Sequence, residues 1–396
     1  MRYIILMVCL AFVMADEPAA QTTNDIQLST TILPDTDQYH GSKVLQFAKP
    51  AEGTISVPPN WTDVETAVVG DNPRLIAAIV VRFKDERGEV GYAIANDGKT
   101  AVDSTSVLSF HRGGNRMIAD FSIAVRSDRD AADAERQISY QIVLSKDRVI
   151  ARLAECREGT LRVNDRDYGI RLYAPSINNP FFDLSTDAAC VIDMNRDGRY
   201  SWKWRVDDSD RTVIPSEQVK LTGPFKVDGQ TFKAKAVDPV GTLLTCSDYP
   251  GDTATVVGFF APDFSVTDLT GVTHTLGDMK GRIVLLTFWS GRCPYCEKIR
   301  LRLDTLVSRC DTTQFQAVSA STDTSRTAIA EFVQERPYAG IVVPYSVPLW
   351  KTFNARGTTP VYYVFDRDGS VMFSGSGASA FSVVEQIITN KLSTDQ

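Results

Sequence analysis

The run Ile283-Val284-Leu285-Leu286-Thr287-Phe288-Trp289 carries no charge, and four residues after it begins Cys293-Pro294-Tyr295-Cys296. A short, almost wholly apolar run is the pattern of a strand buried on both faces. The stretch after the cysteines, residues 297–307, places Ile299, Leu303, Leu306 and Val307 at helical spacing. The cysteine pair therefore falls where a buried strand turns into a helix, and that position constrains the local fold. Two cysteines three apart on a first helical turn can close a small disulfide ring with little backbone movement. Pro294 suits the same turn, where an amide hydrogen would have no helical partner. The free amides and the positive end of the helix dipole favour a thiolate at Cys293, which makes it the better nucleophile. Cys296, a turn further in, is expected to be shielded and placed to attack the Cys293 sulfur in a mixed disulfide.

The spacing alone leaves two other uses open, a zinc site and a structural staple. Zinc would need a second pair of ligands, and the nearest candidates, Cys310 and His274, stand in no paired motif. The compartment bears on the choice. Met1-Arg2, an apolar run over residues 3–14, and Val13-Met14-Ala15 ahead of Asp16-Glu17 predict a secretory signal peptide over residues 1–15. It is too short to span a bilayer comfortably, and no later segment approaches the roughly 20 apolar residues of a stable membrane span. The expected location is periplasmic or extracellular, where disulfides persist, and Cys9 leaves with the signal. The 42 basic and 49 acidic residues give a net charge of -7, which argues against a counterion-releasing grip on nucleic acid.

A length of 396 residues suggests two or three domains. Residues 16–60, rich in Thr, Asp, Pro and Gln, read as a tail or linker. Asn60-Trp61-Thr62 fits the glycosylation triplet, which matters only in a eukaryotic secretory route. Residues 61–250 read as strand after strand, with 75–83, 90–94, 117–125, 137–144, 149–153, 160–163, 168–173, 225–227 and 231–236 the clearest. Asn164-Asp165 and Asp228-Gly229 supply hairpin turns. This predicts an antiparallel β-rich domain, possibly two modules, sandwich or barrel-like. After Gly258 the order becomes strand, helix, strand (315–318), helix (325–335), short strand (341–343), hairpin (361–365 and 371–373) and helix (381–391). The fold class is α+β overall: antiparallel β-rich module(s), then an α/β domain with a mixed sheet over residues 256–396.

A second signal is Gly357-Thr358-Thr359-Pro360, because a proline opening a central strand is tolerated only at a special position. Taken with Gly258-Phe259-Phe260-Ala261-Pro262-Asp263-Phe264, Gly281-Arg282 before the apolar run, the Cys-Pro-Tyr-Cys and Phe365-Asp366-Arg367-Asp368-Gly369, residues 256–396 resemble a thioredoxin-like fold. More narrowly they resemble the TlpA-like thiol–disulfide oxidoreductases. The resemblance covers roughly a third of the chain and implies several things. Pro360 is cis and opposite the cysteine pair, and the Thr359 backbone is free to pair with an extended substrate. Trp289, Pro294, Tyr295, Thr359 and Pro360 bound the substrate site, an extra helix lies between residues 315 and 343, and no cofactor is required beyond the redox-active Cys293–Cys296 disulfide. Tyr295 between the cysteines is similar to the glutaredoxin dipeptide, a weaker reductant than a Gly-Pro pair. Three departures stand out: Arg292 where an aromatic is usual, Thr287 where thioredoxin has a buried acid that moves protons, and Glu297 directly after the pair. The Thr and Cys pattern of a peroxiredoxin does not occur at this junction, which argues against a peroxidase.

In the β half, Asp193-Met194-Asn195-Arg196-Asp197-Gly198 places oxygen ligands at positions one, three and five and Gly at six, as in calcium loops. Position twelve is Trp204 and not the bidentate Glu of a helix–loop–helix switch, so Asp207, Asp208 or Glu217 would have to close the shell. A solvated Asp-Gly turn is the other reading. Cys156, Cys190, Cys246 and Cys310 allow three pairings, of which Cys156 with Cys246 is the first expectation; an internal relay through Cys293 is an alternative. The expected function is an exported thiol–disulfide oxidoreductase acting on protein thiol and disulfide substrates with a redox partner protein. The rival is a secreted binding or scaffold protein with a redox-inert platform and a calcium loop.

Overall fold

The computed structural model describes residues 23–33, 42–69, 78–95, 101–113, 116–126, 135–145, 148–176, 182–184, 188–355 and 359–394. The signal peptide expected at residues 1–15, with Cys9, lies outside the described residues, as do Gly357 and Thr358.

The C-terminal third is built on a five-stranded mixed sheet. Its strands are β1 (Ile283–Trp289), β2 (Phe315–Ser321), β3 (Ile341–Val343), β4 (Val361–Phe365) and β5 (Val371–Ser376), in the order β3-β2-β1-β4-β5. β1 runs parallel to β2 and antiparallel to β4, and all seven of its residues are buried. They are buried because both sheet faces are covered. Ile283, Leu285 and Trp289 pack under α1 (Pro294–Arg309) and α4 (Ala380–Thr394), through Ile299, Leu303, Phe381 and Val384. Val284, Leu286 and Phe288 face Phe264, Val266, and Leu349 of α3 (Val347–Thr352). α2 (Arg326–Glu335) is the helix expected between residues 315 and 343; the Ser325 hydroxyl caps it by accepting the Ala328 amide hydrogen. α3, six residues long and capped by Ser346, is too short to show a period in sequence.

The N-terminal region is antiparallel β throughout its named strands. The segment read as a tail, residues 16–60, contains Thr23–Ile32, which is no tail. It is an interior strand of an eight-stranded sheet, between Glu155–Val163 on one side and Leu243–Asp248 on the other. Only alternate residues of it, Ile26 and Leu28, face the core, so its polar outward face dominated the composition. Gly159 stands opposite Leu28, where a Cβ would collide with the Gln27 carbonyl. Ser42–Val44 adds an edge to a five-stranded sheet, and Thr62–Val69, Ala78–Lys84 and Val90–Ala95 form a three-stranded one. One apolar cluster draws on all three sheets, from Val80 and Ile94 through Ile138 and Ile142 to Ile170 and Leu244.

Both expected hairpin turns have the left-handed backbone that a two-residue turn needs: Asn164 and Asp165 at φ 48° and 58°, Asp228 and Gly229 at 48° and 81°. The two tips meet, since Asn164 Nδ2 donates to the Asp228 carbonyl at 2.9 Å. Two strands stand between these hairpins in the sheet order, so the sheet is strongly coiled.

The two halves touch through side chains. The short hairpin Arg205–Val206 and Val213–Ile214 packs Val206 and Val213 into the C-terminal core, and Trp204 meets Phe373 edge-on at 5.2 Å. Lys226 Nζ donates to the Gly258 carbonyl at 2.6 Å and lies over the Phe259 ring.

Among the described residues, none of Cys156, Cys190, Cys246 and Cys310 forms a disulfide. The expected Cys156–Cys246 bridge is ruled out by the pleat. Cys156 joins Leu33, Tyr173 and Val191 in one cluster, whereas Cys190 and Cys246 join the main core on the opposite face of the sheet. No relay to Cys293 is laid out from Cys310, the nearest in sequence, either, since it caps the far end of the 16-residue α1, about 25 Å away at 1.5 Å per residue.

Candidate functional site

Cys293 is the N-cap residue of α1, and its sulfur accepts the Cys296 amide hydrogen at 3.1 Å. The two cysteines form a disulfide with Cα atoms 5.2 Å apart. Their exposures differ as their positions on the helix dictate. Cys293 is half-buried, while Cys296 is 2% exposed and lies in the apolar cluster beneath α1. A thiolate formed at Cys293 would face the Cys296 amide at the positive end of the helix dipole, which stabilises negative charge.

The opposite wall comes from the start of β4. The Thr359–Pro360 peptide is cis, Pro360 is buried, and the Thr359 carbonyl oxygen stands 3.4 Å from Cys293 Sγ. Tyr295, 58% exposed, and the exposed Pro294 face outward beside the pair. Trp289, at the end of β1, is 1% exposed and stacks on Tyr338 with ring centroids 4.1 Å apart. The Tyr338 hydroxyl donates to the Cys296 carbonyl at 3.4 Å. Thus Trp289, Cys293, Pro294, Tyr295, Cys296, Thr359 and Pro360 converge on one end of the central strands.

Asp323, which drew no notice in sequence, holds the approach loop. Its carboxylate accepts the Ser290 hydroxyl at 2.8 Å and the Gly291 amide at 2.7 Å. Tyr338 was missed as well, and nothing in the local pattern marks either residue; only the closing of β2 and β3 against β1 brings them here. Glu297 pairs with Arg300 at 3.0 Å, and that hydrogen bond, chiefly, holds its carboxyl below the usual range. It is therefore a first-turn surface carboxylate, engaged away from the sulfurs. Arg292 is exposed.

Asp193, Asn195 and Asp197 lie apart from this site, and calcium is not supported there. Asp193 Oδ1 and Oδ2 accept the amides of Asp197 and Gly198, and Asn195 Oδ1 accepts Asp197 N–H at 3.0 Å. Glu217, the nearest closing carboxylate, accepts the amides of Met194 and Ser201. The oxygens tie a tight turn to itself. Among the described residues no cluster of three or more His, Cys, Asp or Glu could hold a metal ion. Trp204 at position twelve instead anchors the C-terminal core.

A half-exposed sulfur at a helix N-terminus, bonded to a buried one three residues on, is an arrangement suited to thiol–disulfide exchange. Residues 257–374 match the AhpC/TSA family. The thiol-disulfide oxidoreductase ResA of Bacillus cereus (strain ZK / E33L) is 28% identical over 117 residues, 29% of this chain and 67% of that protein. ResA of Geobacillus kaustophilus (strain HTA426) is 26% identical over 133 residues, 33% of this chain and 76% of that protein. Among solved structures, the thioredoxin domain of a thiol-disulfide oxidoreductase from Bacteroides vulgatus aligns at 23% identity and a TM-score of 0.30, over 34% of this chain and 98% of that one. The C-terminal third of this chain, at residues 257–374, is thus a thioredoxin-like domain of the AhpC/TSA family, with relatives among the ResA thiol-disulfide oxidoreductases.

Proposed function

We propose that the protein is an exported thiol–disulfide oxidoreductase that exchanges disulfides with partner proteins through Cys293 and Cys296. The observation that carries the reading is the unequal environment of the two sulfurs: Cys293 half-exposed on the helix N-terminus with an amide at 3.1 Å, Cys296 buried behind it. Cys293 attacks a substrate disulfide, or delivers one, and Cys296 resolves the mixed disulfide. Tyr295 and the Thr359 backbone border the groove, Trp289 and Pro360 support it, and residues 23–248 govern partner choice or placement. No cofactor is required by this chemistry. Export rests on the leader expected at residues 1–15. No helix among the described residues is long and apolar enough to cross a membrane.

The test is a Cys296→Ala variant. It is expected to accumulate covalent adducts with substrate proteins that a thiol reductant releases, while the wild type accelerates insulin reduction or oxidises a reduced substrate. Wild type inert in both assays, with no adduct on the variant, would end the reading.

A further inference from the structure

Among the described residues four buried side-chain polar atoms have no hydrogen-bond partner within the protein: Ser247 Oγ, Thr287 Oγ1, Trp289 Nε1 and Tyr362 Oη. Three of the four gather in one place. Thr287 of β1 stands directly opposite Tyr362 of β4 in the ladder, and Trp289 lies two residues along β1, so all three side chains project from one sheet face. That face is covered by α1, whose buried side begins with Cys296. Trp289 stacks on the tyrosine that bonds the Cys296 carbonyl, and Tyr362 is closed off from the other side by Phe381 of α4 at 5.5 Å. The three are 2%, 1% and 0% exposed.

Burying a polar group unpaired costs free energy, and three on the one sheet face that α1 covers would be an improbable accumulation of such costs. A group of two to four polar atoms around a buried point is what an internal water molecule needs. The chemistry at Cys296 also asks for something there. Cys296 must lose its proton before it can attack Cys293, and burial raises a thiol's pKa. β1 carries no acidic residue, so no carboxylate on that strand takes the proton.

The charged groups around the site are otherwise engaged. On α1, Glu297 and Asp304 both pair with Arg300, and Asp304 also accepts the Ala339 amide. Asp323, on the loop after β2, holds Ser290 and Gly291. At the rim Arg302 of α1 pairs with Glu385 of α4, and Arg336 at the end of α2 faces Glu297. Burial pushes the Tyr338 and Tyr362 hydroxyls well above the usual tyrosine range, so both stay protonated and act as hydrogen-bonding groups.

We propose that Thr287, Trp289 and Tyr362 hold internal water beneath Cys296, and that this water accepts the Cys296 proton when the mixed disulfide is resolved. The proposal rests on the exchange reading above and deepens it. In the step, the Cys296 S–H bond breaks and its proton passes to the bound water and on to solvent. The thiolate attacks Cys293 sulfur, forming the Cys293–Cys296 bond and breaking the bond between Cys293 and the substrate sulfur. The substrate leaves as a thiolate and takes up a proton from solvent; over the two exchanges together the pair is oxidised by two electrons and the substrate disulfide reduced by two. Thr287, Trp289 and Tyr362 are positioning residues, since they act through the water.

The experiment uses reduced full-length protein and oxidised glutathione, following mixed-disulfide formation and its resolution by rapid mixing from pH 6 to 9. In Tyr362→Phe and, separately, Thr287→Val, the resolution rate at pH 7 is expected to fall about tenfold, its rising limb moving up by about one pH unit, the equivalent shift. Formation at Cys293 keeps its wild-type rate and pH profile. A purely structural role predicts the reverse: a higher melting temperature for Tyr362→Phe, from removal of an unpaired group, with the resolution profile unmoved, and that result overturns the proposal. The conservative Thr287→Ser should restore the wild-type profile, which keeps the test decisive if one variant folds poorly. A wild type that forms no mixed disulfide sinks the exchange reading itself, a distinguishable failure.

Discussion

The two halves of this molecule are held together by opposite kinds of information. In the C-terminal third, the proposed exchange pair sits within four consecutive residues, and the elements that position it follow one another in sequence. In the N-terminal region the main sheet joins Thr23–Ile32 to Leu243–Asp248, partners more than 200 residues apart. The first kind is legible in a short window. The second exists only once distant segments meet, because a strand's partners are not written in its own composition.

Three measurements press on that contrast. The largest effect is expected at the join. Trp204→Ala removes an aromatic from the C-terminal core, at a cost of about 2 kcal/mol, less than the roughly 3–5 of a fully buried one. A fall of about 5 °C is expected in the melting transition seen by C-terminal tryptophans as well as by far-ultraviolet dichroism. If the C-terminal signal melts unchanged, the halves are energetically separate and the contrast is complete.

Next comes the behaviour of the thiols. Burial pushes Cys246 up to about 12 and Cys190 higher still, so both stay neutral in the folded state. Unfolded thiols lose their protons near pH 8.5. Above that pH the unfolded chain binds fewer protons than the folded one, so this stability is present below pH 8.5 and lost as pH rises towards 12. Cys246→Val should flatten that alkaline loss. In native protein at pH 8, maleimide should label reduced Cys293 quickly and Cys156, Cys190 and Cys246 only on unfolding. Rapid labelling of those three would show that the β core opens far more readily than its packing implies.

The smallest effect is the absence of one. Millimolar calcium should move the melting temperature by less than about 1 °C, because the Asp193–Gly198 turn is satisfied by its own amides. A saturable upward shift would restore a ligand-binding role to the β half and blur the division of labour.

In the C-terminal third β1, β3 and β4 begin and end where periodicity and strand propensity place them, and the Cys-Pro-Tyr-Cys pair and Pro360 mark one wall of the site each. What escaped was whatever depends on packing between elements: Asp323 under the approach loop, Tyr338 on Trp289, and Tyr362 across from Thr287. Each is an ordinary residue in an ordinary strand or loop until a neighbour arrives. Thr23–Ile32 escaped because a coiled sheet with one wet face needs only Ile26 and Leu28 from it. The hydrophilic remainder resembles a tail. Trp204 was noticed only as the residue that spoiled a calcium loop, and its partner Phe373 lies 169 positions away.

The strand Thr23–Ile32 has a further consequence for how the chain comes into being. It emerges from the ribosome ahead of every other described strand, yet one of its edges waits for Leu243–Asp248, made after more than 200 further residues. Until then one row of its amides and carbonyls stays open. Pairings of such long sequence separation form slowly, and exposed edges invite foreign strands. The first described strand to be synthesised is therefore among the last to be secured, and a chaperone that shields it would act on a kinetic weakness that the finished fold conceals.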